Sequence, residues 1–155
     1  MRIAIVTVSD GVARGEREDL SGAALAELLA PLGEITGRHV TPDDREEIAA
    51  TLRRLCDAGV DLVVTTGGTG LGPRDVTPEA TRDVLEREAP GLGEAMRAAT
   101  LAKTPMAMIS RATAGVRGRT LLLNLPGSPK GVRECLEVVL PVLPHAVDIL
   151  GGGGH

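Results

Sequence analysis

The sequence predicts a three-layer α/β fold, with helices on both faces of a mainly parallel central sheet. Three observations carry this. Apolar runs of strand length alternate with helical patterns along the chain. The runs are continuous rather than alternating, which is how strands covered on both faces read. The polar and glycine-rich segments follow the strands, and ligands bind beyond those ends in such sheets.

Residues 2–8 (RIAIVTV) are the first strand, rich in Ile and Val. The polar stretch Ser9–Asp19 follows as a functional loop. Ser21 is placed as the cap of a helix reaching about Leu32, and Gly33–Val40 as a weaker second strand. Asp43 stands at an N-cap position with Glu46 as its capping-box partner. The helix that follows shows Ile48, Leu52 and Leu55 on one face and stops at Gly59. Val60–Thr66 is the third strand, leading into a glycine loop that runs to Asp75. Thr77 caps the next helix, with Pro78 at its first position. A further helix covers about Leu92 to Ala102. Met106–Ser110 and Thr120–Asn124 read as two more strands, with Arg111, Gly115, Arg117 and Gly118 in the loop between them. A last helical region reaches about Leu150 and is interrupted at Pro141 and Pro144. No repeat or linker divides the chain, so residues 1–150 read as one domain and 151–155 as a disordered glycine-rich tail.

Composition narrows the function. The 155 residues carry a formal net charge of -4 and contain no Phe, Tyr or Trp. The absence of aromatic rings removes the usual stacking platforms of single-strand nucleic-acid binders, and no basic stripe offers a duplex surface. It also disfavours a flavodoxin-like redox protein, which needs rings to flank a flavin. An anion must instead be held by local cations, helix N-termini or a metal. Cys56 and Cys135 lie far apart, inside apolar helical patterns, and read as buried free thiols. The apolar run after Met1-Arg2 is too short for a signal peptide or membrane span, and a cytoplasmic location is expected.

The chemistry-bearing residues cluster on the loops. Gly67-Gly68-Thr69-Gly70 allows backbone amides to converge on an anion, and Arg74 and Asp75 follow directly. No Gly-Lys-Ser/Thr follows it and no third glycine completes a dinucleotide fingerprint. Asp43 and Asp75 close loops after two different strands. Each is explained singly as a cap or turn residue, but together they suit Mg²⁺, which takes one or two carboxylates plus phosphates and water. Asn124-Leu125-Pro126-Gly127-Ser128-Pro129-Lys130 joins a glycine turn to a helix N-terminus, where Ser128 and Lys130 suit a phosphate. Ser110, Arg111 and Arg117 provide a hydroxyl and two guanidiniums near another strand end. His39 and His145 are isolated, with no metal-ligand spacing.

Taken together, the motifs resemble the signature of the MoaB/Mog family. They are Val6-Thr7-Val8-Ser9-Asp10, Thr65-Thr66-Gly67-Gly68-Thr69-Gly70 and Pro73-Arg74-Asp75-Val76-Thr77-Pro78-Glu79-Ala80-Thr81. Pro90–Arg97, Ser110-Arg111, Ala114–Gly118 and Leu123–Lys130 match as well. The resemblance implies a molybdopterin-binding fold, assembled as a homotrimer and sometimes a hexamer. It implies transfer of AMP from ATP to the terminal phosphate of molybdopterin, with release of pyrophosphate, and delivery of the product to a separate molybdenum-insertion protein. It assigns the chemistry to two aspartates, matching Asp43 and Asp75. Ser9, Asp10, the Gly67–Gly70 loop, Ser110, Arg111, Arg117, Asn124, Pro126, Gly127, Ser128 and Lys130 are the expected substrate contacts. A member that binds without turnover, or a docking domain of the same fold, remains open at this point. So does the manner in which adenine and pterin are held without aromatic residues.

Overall fold

The structure is a computed structural model that describes residues 1–154. Its centre is a six-stranded sheet in the order β2-β1-β3-β6-β5-β4. Strands β1 (Arg2–Val8), β2 (Glu34–Thr41), β3 (Leu62–Thr66) and β6 (Thr120–Leu125) are mutually parallel. β5 (Ala114–Arg117) runs antiparallel to β6, and the two-residue β4 (Arg87–Glu88) antiparallel to β5.

The two-residue period of a strand sorts the core into two layers. Ile3, Ile5, Leu62, Val64, Leu121, Leu123 and Leu125 face α2 (Leu20–Leu29), α5 (Pro90–Leu101), α6 (Pro129–Val139) and α7 (Leu143–Leu150). Ala4, Val6, Val8, Val63 and Leu122 face α3 (Arg45–Asp57) and α4 (Thr77–Val84). Each fully buried Leu or Ile contributes roughly 1.5–3 kcal/mol of burial. Both faces are therefore covered by aliphatic packing alone. The edge strand β2 alternates half-buried and exposed positions up to the buried Thr41 and carries Glu34 and Arg38 outward, which discourages edge pairing.

Several expected elements differ, and the first is a one-turn helix α1 (Asp10–Ala13) inside the expected Ser9–Asp19 loop, capped by Ser9 Oγ accepting from Val12 N–H at 3.2 Å. Asp19, not Ser21, caps α2: its Oδ1 accepts from Gly22 N–H at 2.9 Å, while Ser21 is buried inside the helix. Asp44, not Asp43, caps α3, accepting from Glu47 N–H at 2.9 Å. Asp44 has the extended backbone that a cap requires, so the capping register moves one residue and Glu46 plays no part. Thr77 is the first residue of α4 rather than its cap. Met106–Ser110 is not a strand. Pro105–Ile109 forms a 3-10 turn, started by Thr104 Oγ accepting from Met106 N–H at 3.2 Å. Gly115 and Arg117 belong to β5 rather than to a loop. The final helical region does break near both prolines, into α6, a 3-10 turn at Leu140–Val142 and α7. Within the described part of the tail, Gly151, Gly152 and Gly153 bond back onto the last turn of α7; His155 lies outside the described residues.

Cys56 and Cys135 are free and half-buried, and burial raises both thiols above their ordinary range. No described helix is long and apolar enough to cross a membrane.

Candidate functional site

The parallel strands end together, and a cleft of about 460 Å³ opens beyond β1, β3 and β6. Ser9, Asp43, Gly67, Gly68, Asp75, Gly127 and Ser128 all line it. Four separate loops thus deliver the expected residues to one place.

The glycine loop is shaped by close backbone approach. Gly67 and Gly68 have φ of 101° and 68°, the left-handed region that favours glycine. A Cβ at Gly67 would collide with the Val8 carbonyl, and one at Gly68 would stand 3.3 Å from Asp43 Oδ1. Thr77 locks the loop from below, its Oγ donating to the Gly67 carbonyl at 2.8 Å. Thr66 Oγ donates to the Pro126 carbonyl at 2.6 Å and joins this loop to the next.

Arg111 holds the far side of the loop. Its Nε donates to the Gly70 carbonyl at 2.8 Å, its Nη2 to the Asp75 carbonyl at 2.7 Å and its Nη1 to Glu79 at 2.5 Å. The guanidinium expected to meet phosphate is therefore committed to shaping the loop. Thr69 is buried, and its carbonyl accepts from Arg111 N–H at 2.8 Å. Asp75 Oδ2 accepts from Gly72 N–H at 2.9 Å.

Asp43 lines the cleft. It is half-buried, and burial pushes its carboxyl above the ordinary aspartate value. The N–H of Asp10 works against that rise, while the charges of Asp10 and Asp75 add to it. Asp10 differs, since Arg74 grips it with two bonds at 3.0 and 2.9 Å and holds its carboxyl below the usual range. The cleft lining holds the carboxylates of Glu18, Asp43 and Asp75 together with the guanidinium of Arg17, and Asp10 stands beside Asp43, gripped by Arg74. Among the described residues no three His, Cys, Asp or Glu side chains converge as a metal site, so a divalent cation here would rest on one or two carboxylates plus substrate oxygens.

Ser128, in the cleft lining, caps α6 by accepting from Gly131 N–H at 3.0 Å through its hydroxyl and from Val132 N–H at 2.9 Å through its carbonyl. Gly127 lies against Gly67, where a Cβ would come 3.3 Å from the Gly67 Cα. Lys130 is exposed on the first turn of α6, outside the cleft lining.

Two expected contacts are placed elsewhere. Asn124 is completely buried and bonds Thr65 Oγ at 3.0 Å, Thr81 Oγ at 2.9 Å and Thr113 N–H at 3.3 Å. It pins β3, β6 and α4 together and offers nothing to a ligand. Arg117 pairs with Thr120 at the opposite end of β6 and donates to the Val84 carbonyl, because β5 runs antiparallel. Ser110 lies beside a neighbouring pocket with Pro126 and Ser128. Sequence reasoning missed the structural parts of Arg74 and Thr77. Their proximity to the glycine loop was the available signal, but their partners are distant in sequence.

The sequence pattern of the probable molybdopterin binding domain matches residues 4–145. Molybdopterin adenylyltransferase of Helicobacter pylori strain J99 is 44% identical over 156 residues, covering 98% of this chain and 89% of its own length. The solved molybdopterin biosynthesis enzyme MoaB of Thermus thermophilus is 57% identical, with a TM-score of 0.92 over 97% of this chain and 96% of that one. The tungsten cofactor synthesizing protein MoaB of Pyrococcus furiosus is 36% identical, with a TM-score of 0.89 over 96% of each chain. With nearly its whole length matched and its glycine, aspartate and serine loops gathered at one sheet edge, the chain belongs to the molybdopterin binding domain family of molybdenum cofactor biosynthesis.

Proposed function

We propose that the protein is a molybdopterin adenylyltransferase that takes AMP from Mg·ATP. The observation that carries this reading is Asp43: half-buried, relieved of capping by Asp44, and sharing the cleft with Asp75, whose charge it feels. A terminal phosphate oxygen of molybdopterin attacks the α-phosphorus of ATP and forms a phosphoanhydride. The bond from that phosphorus to the β-phosphate oxygen breaks, and pyrophosphate leaves with the electron pair. The attacking phosphate is already ionised, so no general base is needed. The task is to align two polyanions and neutralise them.

Asp43 and Asp75 would hold Mg²⁺, which supplies charge neutralisation at the triphosphate and the leaving group. The Gly67 N–H is spent on the Leu125 carbonyl at 3.1 Å, so the Gly68 amide and the N-terminus of α6 with Ser128 would orient phosphate oxygens. Arg111 and Thr77 keep the loop in the shape that aims those amides. Lys130, on the exposed rim, adds long-range attraction. We place the protein in the cytoplasm as a homotrimer, passing its product to a molybdenum-insertion protein. The exposed Leu101, Met106, Met108 and Ile109 supply apolar contact surface for that assembly. The segment 138–150 packs mostly on the chain's own core.

The deciding measurement is pyrophosphate release at saturating Mg·ATP and molybdopterin. Asp43→Asn and Asp75→Asn should fold normally and lose about 100-fold or more in turnover. Near-normal rates in both variants defeat the reading. A folded wild type that binds molybdopterin but releases no pyrophosphate is a binding member only.

A further inference from the structure

Two helices begin at the polar cleft. α2 packs against α6, and Ser21 and Ser128, near their respective starts, both line the cleft. The two serines are used differently. Ser128 Oγ caps its own helix, accepting from Gly131 N–H at 3.0 Å. Ser21 is relieved of capping by Asp19, whose carboxylate takes Gly22 N–H and whose carbonyl takes Ala23 N–H. Thr7 Oγ and Arg38 grip the same carboxylate, so the first turn of α2 is fixed. Leu20 N–H meets the Glu18 carbonyl at 3.0 Å. Ser21 N–H is then the amide of this turn left without a partner among the described residues.

The hydroxyl of Ser21 is free as well. The residue is only 8% exposed, yet its Oγ makes no hydrogen bond among the described residues. A buried hydroxyl without a partner is costly unless a ligand satisfies it. The same lining holds Arg17, its one cation among the described residues, and that guanidinium makes no hydrogen bond or ion pair. Gly11 sets its position. Arg17 N–H donates to the Gly11 carbonyl at 3.3 Å, and the stem lies over Gly11, where a Cβ would come 2.6 Å from Arg17 Cδ. Arg74 and Arg111, the guanidiniums on the glycine loop, are already held by Asp10, Glu79 and loop carbonyls.

We infer that Ser21 and Arg17 form a second phosphate site in the cleft, at the start of α2. The inference rests on the proposed function and adds two binding residues to it. Ser21 offers an amide and a hydroxyl from one residue, and the positive end of the α2 dipole reinforces both. Arg17 supplies the formal charge, with a planar fork that suits two phosphate oxygens. The proposed reaction brings two polyanions together, and a cation on Asp43 and Asp75 neutralises only the phosphates it touches. The cleft lining also carries Glu18, so a phosphate at the α2 end meets repulsion unless Arg17 offsets it. The phosphate is either the β,γ end of ATP or the terminal phosphate of molybdopterin. Both present the same dianionic oxygens to the site.

The test is direct binding by calorimetry, independent of turnover, with Mg·ATP, pyrophosphate, adenosine and molybdopterin as separate probes. Ser21→Ala and Arg17→Ala should each weaken a phosphate-bearing probe about tenfold or more and leave adenosine unchanged. Arg17→Lys keeps the charge and should recover part of the loss. Arg17 is exposed, so its variants hold the test open even if Ser21→Ala folds poorly. Loss for Mg·ATP and pyrophosphate places the β,γ end of ATP at the site. Loss for molybdopterin alone places its terminal phosphate there. Unchanged affinity for every phosphate-bearing probe in both variants overturns the inference. So does adenosine weakened as much as Mg·ATP, which would make these residues contacts of the base or ribose. Phosphate binding through Ser21 and Arg17 without pyrophosphate release leaves this site standing and removes the catalytic reading. Turnover that depends on Asp43, with binding indifferent to Ser21 and Arg17, does the reverse.

Discussion

Asp10 and Asp43 exchange hydrogen bonds in both directions: Asp10 N–H donates to Asp43 Oδ2 at 2.9 Å, and Asp43 N–H donates to Asp10 Oδ1 at 3.0 Å. The loops after β1 and β2 are thereby tied side by side. Arg74, on the glycine loop, grips Asp10 and draws a third loop into the same assembly.

Removing the Asp10 charge should free Arg74 to pair with Asp43 and compete with the metal. For Asp10→Asn we expect about a tenfold rise in the Mg²⁺ concentration for half-maximal pyrophosphate release, since the released guanidinium would offset the charge of Asp43. Adding Arg74→Ala to that variant should restore the wild-type requirement. Titrating Mg²⁺ in the assay checks both. A requirement unmoved in the single variant would show that Arg74 does not police the metal.

The neighbouring aspartates should separate stability from catalysis. Asp44→Ala removes the N-cap of α3 and should cost about 1 kcal/mol in denaturant unfolding, with turnover per folded molecule unchanged. Asp43→Asn keeps an oxygen for the Asp10 N–H, and should show the opposite pattern. Equal destabilisation by both changes would return Asp43 to a purely structural part.

Glu79 supplies an acid-sensitive part of the stability. The bond from Arg111 holds its carboxyl below the ordinary glutamate value. A depressed carboxyl adds stability that is present above the unfolded value, 4.5, and is lost as pH falls through the folded one. Glu79→Gln should therefore destabilise near neutrality by about 1 kcal/mol or less, because nearly a third of each partner's side chain faces water. The difference should shrink to nothing as the pH is lowered past the folded value. Unfolding curves of both proteins across this range decide it; a gap that widens in acid contradicts the assignment.

Asn124 should behave as a framework residue. Asn124→Leu keeps the approximate volume but leaves the Thr113 N–H and the hydroxyls of Thr65 and Thr81 without their present partner. A loss of about 2–4 kcal/mol is expected. Binding of Mg·ATP by the folded fraction should persist. Selective loss of ATP affinity at unchanged stability would restore Asn124 to the ligand contacts.

Local pattern was enough for the layered fold. The continuous runs at Ile3–Val8, Leu62–Thr66 and Thr120–Leu125 must be buried on both faces, and their parallel direction brings Ser9, Asp43, Gly67 and Ser128 to one edge. Those inferences rest on periodicity and short-range chemistry, which a sequence displays directly. It does not display which distant group completes a polar side chain. Asn124 and Arg111 look like ligand contacts until the fold delivers Thr65, Thr81, Gly70 and Asp75 to them. Arg117 looks like a neighbour of the site until the antiparallel turn of β5 carries it to the far edge. The capping register between Asp43 and Asp44 depends on Asp10, 33 residues away. Sequence by itself determined where the backbone must go and which loops must meet. Only the tertiary structure decided which polar groups remain unspent for a substrate, because a hydrogen bond across distant loops forms only after packing has removed the competing water.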